Sequence, residues 1–380
     1  MRWILFLILI ASSSFAFADE IVAVRLKKSM GVITITGKSI TCCSRKISHD
    51  AILSDTFKVS YRRIDGLSYW EVYNKDADIT KMYNTKSLFF TGPDMYVGAI
   101  KAPRYIEFYA KKTSFDVIAH IGLEDYLEGV LPSEMPASWP MASLKAQAIA
   151  SRSYTLAMIK QRSKGHFNLE STVSDQVFDL SKHAAVSDII KKKIYKAISE
   201  TRGKVLLNKK SNIHKAYYHA DCGGHTEEPG LVWNFTAKNG TAKDPYCPSH
   251  RNSKWQTTFS HKKISKLLQD KLGVSDDDIF KNLLVLNKSP SGRAVNVKLQ
   301  FNNKERVITA QKMREILGYS KMKSTLFSFN NSKSGVTIKG KGNGHGVGLC
   351  QWGAKHWAGA GKSYTQILKH YYPTAKIHKF

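Results

Sequence analysis

Among the residues able to move a proton, one glutamate stands out by its surroundings. Glu134 lies in Pro132-Ser133-Glu134-Met135-Pro136, with Trp139 and Pro140 just beyond. Apolar bulk on both sides would strip water from the carboxyl and raise its pKa, as a general acid at neutral pH requires. A lone glutamate in a loop is by default solvated, so context has to decide. A second group is His219, Cys222, His225 and Cys247. His-x-x-Cys-x-x-His has a zinc-like spacing, whereas Cys222 with Cys247 would close a loop as a disulfide. A third is the glycine-rich stretch Gly340 to Gly348 around His345. Its glycines let backbone approach a ligand closely and adopt positive φ. His345 there would bind substrate or steady Glu134, or else sit satisfied in a tight turn. The stretch lacks the Gly-Lys-Ser/Thr ending of a phosphate-cradling loop.

The elements that must position these groups are legible from periodicity. Beyond Pro140 a helix runs from Met141 to about Arg162, rich in Ala, Leu, Lys and Gln and free of Gly and Pro. Lys145 and Arg152 are seven positions apart and nearly superimpose on it, sharing a stripe with Ile149, Leu156 and Ile159. Two cations on a face expected to be buried need an acid or hydrogen bonds. Lysine escapes that demand by snorkelling, while the planar guanidinium wants a carboxylate. Glu134, just before the helix, is the nearest acid in sequence, and the expectation is that the helix cations hold it. A second helix is expected at about Val186 to Glu200. Strands are expected at Lys204 to Leu207 and Ile213 to Ala220.

Short β-branched runs fill the chain from Ile21 to about Lys111, and no catalytic residue types gather there. From about Trp255 to Phe329 the pattern is mixed, with helices near Ile264 to Leu272 and Ala310 to Leu317 and strands near Val295 to Phe301 and Val307 to Thr309. The fold class that follows is α+β. Its expected parts are a signal at 1–18, a β-rich region at 19–111, a mixed catalytic domain at 112–254 and 330–380, and an inserted segment at 255–329.

The first residues read as a secretory signal. Arg2 supplies the charge, Trp3 to Ile10 a short apolar run, and Ala16-Phe17-Ala18 a small-x-small cleavage pattern. No later stretch is apolar enough to span a bilayer. Lys and Arg number 58 against 30 Asp and Glu, a net charge of +28, which favours a polyanionic partner. In an exported chain that charge suits wall or envelope carboxylates rather than specific nucleic acid. Because the lysines are spread along the chain, solubility explains them as well. The cysteines number five, so at least one stays unpaired within the chain. Export favours a disulfide between Cys222 and Cys247 over zinc, so no metal or other cofactor is expected, with His219, Cys222 and His225 as the alternative ligands.

Four blocks carry a resemblance. Glu124 to Pro136 (EDYLEGVLPSEMP) is similar to an L-E-E-Y-x-x-G-V-x-x-x-E-M-P signature, and Leu144 to Tyr154 (LKAQAIASRSY) to an A-L-K-A-Q-A-x-A-A-R-T-Y helix. Tyr218 to Glu227 with Asp244 to Cys247 resembles H-S-x-C-G-G-x-T and D-P-Y-C. Gly342 to Ala354 resembles G-x-G-H-G-x-G-x-x-Q-x-G-A. These motifs belong to the SpoIID/LytB family, named for a sporulation lytic transglycosylase and an amidase enhancer, and together they run from Gly122 to the C-terminus. The resemblance implies cleavage of the N-acetylmuramic acid to N-acetylglucosamine bond of peptidoglycan, with Glu134 as the catalytic acid/base. It implies supporting or substrate-binding roles for Lys145, Gln147, Arg152, Tyr154, Gly344, His345, Gly346 and Gln351. The implied partners are wall glycan strands, stripped of peptide or deacetylated, and an amidase. A non-enzymatic amidase enhancer and a hydrolytic muramidase using Asp125 or Glu128 as second acid remain open. Some members carry a Cys/His metal pair in C-D-x-T-H-C-Q-V-Y. Here Glu170, Ser174 and Asp175 replace its cysteines and histidine, which speaks against a zinc there.

Overall fold

The computed structural model describes residues 20–43, 52–233, 240–247 and 253–380; the expected signal lies outside them. Alternating apolar residues make the first part a single large sheet. Its strands are β1 (Ile21–Met30), β2 (Val32–Cys43), β3 (Ile52–Ile64), β4 (Leu67–Asn74), β5 (Ile79–Tyr83), β6 (Ser87–Thr91), β7 (Met95–Val97), β8 (Ile100–Ala102), β9 (Tyr105–Ala110) and β10 (Phe115–Gly122). The main path runs β1-β10-β9-β6-β2-β3-β4-β5, and β7 with β8 branches from β2. One face is filled by buried aromatics: Trp70 contacts Phe108 and Phe115 at centroid distances of 6.3 and 5.2 Å. Such pairs add about 0.5–1.5 kcal/mol each beyond area burial. β10 sits between β1 and β9, so the sheet continues across residue 112 into the segment that carries the motifs.

From the end of β10 the chain enters α1 (Leu123–Glu134) directly. Glu134 is therefore the last residue of a helix, not a loop residue. Pro132 lies inside that helix, in the final turn, where its missing N–H costs one hydrogen bond. Ser133 Oγ donates to the Gly129 carbonyl at 2.7 Å and holds the turn closed. Next comes α2 (Met141–Gln161), buried from Ser143 to Leu156 apart from Lys145 and therefore the central helix of the second part. β11 (Leu169–Glu170) joins the large sheet parallel to β1. α3 (Leu180–Ala185), not anticipated from periodicity, and α4 (Asp188–Ser199) pack on α1. β12 (Lys204–Leu207) has the expected bounds, whereas the expected strand from Ile213 reduces to β13 (Tyr218–His219), followed by the short α5 (Pro229–Trp233).

The segment after residue 253 builds its own core around Phe280, Leu283, Val297, Met313 and Ile338. It contains β14 (Lys254–Ser260), α6 (His261–Leu272), β15 (Phe280–Lys288), β16 (Ala294–Phe301), β17 (Glu305–Thr309), α7 (Ala310–Leu317), β18 (Phe327–Ser332) and β19 (Gly335–Lys341). Two three-stranded sheets form, β14-β19-β18 and β15-β16-β17. The chain then returns as β20 (Leu349–Cys350), α8 (Gln351–Gly359), α9 (Tyr364–Tyr371) and β21 (Lys376–Lys379), which pairs with β12. The fold is α+β with a β-rich N-terminal region. Among the described residues no helix is long and apolar enough to cross a membrane.

Candidate functional site

Three separate stretches of chain converge on Glu134. α1 presents it at its C-terminal end, and the segment between β11 and α3 supplies the Val177 N–H, which donates to Glu134 Oε1 at 2.7 Å. The third contribution comes from a two-residue parallel ladder between β13 and β20, in which Tyr218 pairs with Leu349 and His219 with Cys350. That ladder brings Tyr218 and Gln351, 133 positions apart in sequence, to the same carboxyl. The Gln351 side chain also reaches back to Gln147 Oε1 at 3.4 Å, and Gln147 donates to Ser151 Oγ at 3.0 Å. A buried amide chain thus links α2 to the carboxyl. The Tyr218 hydroxyl is buried beside Glu134.

The electrostatics follow from this enclosure. Glu134 is half-buried, and Met135 and Trp139, which follow it, are buried. Desolvation pushes its carboxyl above the ordinary value, against the Val177 N–H, the Gln351 amide, the Tyr218 hydroxyl and the Lys182 charge, which all favour the anion. Trp139 packs on Trp352 at 4.8 Å, and the Lys355 ammonium lies 4.6 Å from the Trp352 ring centroid. A groove of about 630 Å³ lies elsewhere, along Trp255, Gln256, Lys339 and Lys341.

The helix cations do not hold Glu134. Arg152, 1% exposed, forms a two-pronged pair with Glu124 (Nε to Oε1 and Nη2 to Oε2, both 2.7 Å) and donates to the Lys204 carbonyl at 3.2 Å. Lys145 pairs with Glu200 near the surface. The stripe's cations thus reach β12 at the Lys204 carbonyl and the end of α4 at Glu200. Tyr154 donates to Asp175 Oδ1 at 3.1 Å and stands edge-on to Tyr217. Asp175 is also gripped by Arg162 at 2.6 Å. The altered metal-pair segment is thereby committed to an ion pair.

The glycine-rich block makes close approaches to the protein itself. A Cβ on Gly344 would come within 2.7 Å of the His219 Cβ, and one on Gly346 within 2.6 Å of the Arg293 guanidinium, both at positive φ. His345 is flanked by Trp233 and His219, with Nδ1 accepting from the Val347 N–H at 3.0 Å. Burial drives it well below its usual pKa and keeps it neutral. It contributes no charge to Glu134.

The expected disulfide is absent. Cys222 and Cys247 are buried free thiols, and Cys350 joins them with its sulfur 3.5 Å from that of Cys247. The other suggested ligands stand apart. His219 turns Nδ1 to the Val347 carbonyl at 3.0 Å, and His225 lies in a bridge to Lys243. Asp244 takes their place beside the sulfurs. Sequence reading assigned no role to Tyr218, Val177, Lys182, Asp244 or Cys350. Tyr218, Asp244 and Cys350 do fall inside the motif blocks, which is the signal the sequence offers.

Comparison with known proteins identifies what the chain is similar to. The family described as stage II sporulation protein matches residues 111–207, a span holding Glu134, Gln147, Arg152 and Val177. A domain of unknown function matches residues 237–348. An uncharacterised protein of Brachyspira hyodysenteriae is 32% identical over 259 residues, covering 67% of this chain and 66% of that one. Stage II sporulation protein D of Bacillus amyloliquefaciens is 31% identical over 288 residues, covering 70% and 77%. The amidase enhancer of Bacillus subtilis is 28% identical over 305 residues, covering 67% and 40%, so less than half of that protein's length is spanned. With identity at this level over most of the sporulation protein's length, and with the motif helices α1 and α2 inside the matched span, this chain belongs to the stage II sporulation protein D family.

Proposed function

We propose that this protein acts on the bacterial cell wall outside the cytoplasm, cutting the bond between N-acetylmuramic acid and N-acetylglucosamine as a lytic transglycosylase, with Glu134 as its single acid/base. The observation that carries the reading is the desolvated carboxyl with one oxygen anchored by the Val177 N–H and a neutral amide and hydroxyl beside it. A protonated Glu134 gives its proton to the leaving glycosidic oxygen. The resulting carboxylate then accepts the proton of the sugar's own 6-hydroxyl as that oxygen closes the anhydro ring. The proton count balances, and no water is consumed.

Helix geometry weighs against a two-carboxylate hydrolysis. Glu128 precedes Glu134 by six residues, about 120° round α1 and about 9 Å along it, and Asp125 by nine, on the opposite side. Neither shares its face, whereas paired glycosidase carboxyls stand across one bond at about 5–9.5 Å. Glu128 lies against His183 at 4.0 Å instead. The similarity to an amidase enhancer supports a second reading, in which the chain binds wall and stimulates an amidase without cutting glycan. Purified sacculi incubated with parent and Glu134→Gln decide. Anhydro-terminated products from the parent alone are expected. Equal effect of the variant, or reducing ends one water heavier, overturns the transglycosylase.

A further inference from the structure

Apart from the groups around Glu134, three cysteines from distant parts of the chain end in one buried cluster. Cys222 follows β13, Cys247 closes the Asp244-Pro245-Tyr246-Cys247 loop, and Cys350 ends β20 as the N-cap of α8. Their sulfurs and a carboxylate oxygen of Asp244 all lie within 4.8 Å of one another. The three cysteines are fully buried and Asp244 is 1% exposed. The Cys350–Cys247 separation of 3.5 Å is too long for a disulfide. It is close to the edge of a tetrahedron whose centre-to-sulfur distance is about 2.3 Å, which is about 3.8 Å.

Backbone N–H groups already point at two of the sulfurs. The Cys222 and Gly353 N–H groups donate to Cys350 Sγ at 3.2 and 3.4 Å, and the Gly224 N–H donates to Cys222 Sγ at 3.4 Å. Asp244 is oriented by the Tyr246 and Cys247 N–H groups on Oδ1, at 3.1 and 3.2 Å, and by the Tyr371 hydroxyl on Oδ2 at 2.5 Å. Outer partners of this kind fix ligand geometry in metal sites. Burial pushes the Asp244 carboxyl up in spite of these donors, and a cation held between it and the three sulfurs would relieve that cost.

We propose that Cys222, Cys247, Cys350 and Asp244 form a closed four-ligand site for a zinc-type divalent cation. Three sulfurs select a thiophilic ion over magnesium or calcium, and four protein ligands leave no position for a reactive water, so the ion is structural. Binding exchanges the thiol protons for the cation without electron transfer. The Cys247 thiol donates to Asp221 Oδ1 at 2.6 Å, and its proton is among those displaced. The ion would clamp the β13–β20 ladder that carries Tyr218 and Gln351 to Glu134. The site is independent of whether Glu134 is catalytic.

The test is elemental analysis, thiol counting and intact mass on the exported chain, with cobalt(II) exchange as a spectroscopic probe. One zinc per chain is expected, with Cys222, Cys247 and Cys350 blocked from alkylation until a chelator and denaturant are added together. Cobalt should give thiolate charge-transfer absorption that Cys350→Ser weakens, with affinity falling by more than about tenfold. If Cys350→Ser does not fold, Asp244→Asn and the parent's alkylation pattern serve in its place. Substoichiometric metal after zinc loading under reductant, or a mass two hydrogens lighter with Cys222 joined to Cys247, overturns the proposal.

Discussion

Replacing either member of the Arg152–Glu124 pair separates a structural role from a catalytic one. The guanidinium is sealed at 1% side-chain exposure and the carboxylate at 11%, with two 2.7 Å hydrogen bonds between them. Removing one partner of such a pair strands the other charge and costs about 3–5 kcal/mol. Glu124→Gln leaves a guanidinium that stays charged at any working pH, so it belongs at about 5 kcal/mol, the upper end. Arg152→Met leaves a carboxyl that escapes by taking up a proton, so about 3 kcal/mol is expected. The double variant should lose less than the two singles added together, by about 1–3 kcal/mol, because no charge is left stranded. Urea titrations at neutral pH read these differences from the midpoint at constant slope. Glycan cleavage by the same variants, measured against pH, reads the other half. Arg152 does not touch Glu134, so the alkaline limb should stay in place. A stability loss under about 1 kcal/mol together with a displaced alkaline limb would refute the reasoning and return Arg152 to the acid's side.

Glu134→Gln should lower cleavage by about 10²–10⁴-fold, the usual contribution of a general acid, in product assays on sacculi. Glu134 has a raised folded pKa, so its stabilising contribution is full at low pH and is lost as pH rises through that value. The glutamine variant should therefore melt no lower than the parent at neutral pH and lose that part of the pH dependence. Gln351→Leu removes a donor that favours the anion, so the carboxyl should titrate higher still and the alkaline limb of activity move to higher pH. Gly346→Ala places a methyl against the buried Arg293 guanidinium at a φ of 89°. A loss of about 1–2 kcal/mol in thermal melts is expected, because an alanine at that φ is strained whatever the neighbour does. Lys145→Met should change stability by less than about 1 kcal/mol in the same melts, as its pair with Glu200 is close to solvent.

Sequence by itself determined the local elements and the identity of the motif. The run from Met141 is strongly helical and was bounded to within a residue, and β12 and α7 have their expected limits, because propensity and period there agree with burial. The desolvation of Glu134 was legible through the apolar residues beside it. Tertiary structure decided everything that depends on contacts across the chain. α1 ran through Pro132 because a proline in a last turn sacrifices only one hydrogen bond. Arg152 took Glu124 rather than Glu134, a choice between two acids 18 and 28 residues away that spacing along one helix does not make. Tyr218 and Gln351 came to one carboxyl only through a two-residue ladder between distant parts of the chain. The sulfurs show the same division: Cys222 and Cys247 looked like a pair, and only the return of the chain through β20 brought Cys350 to make them three.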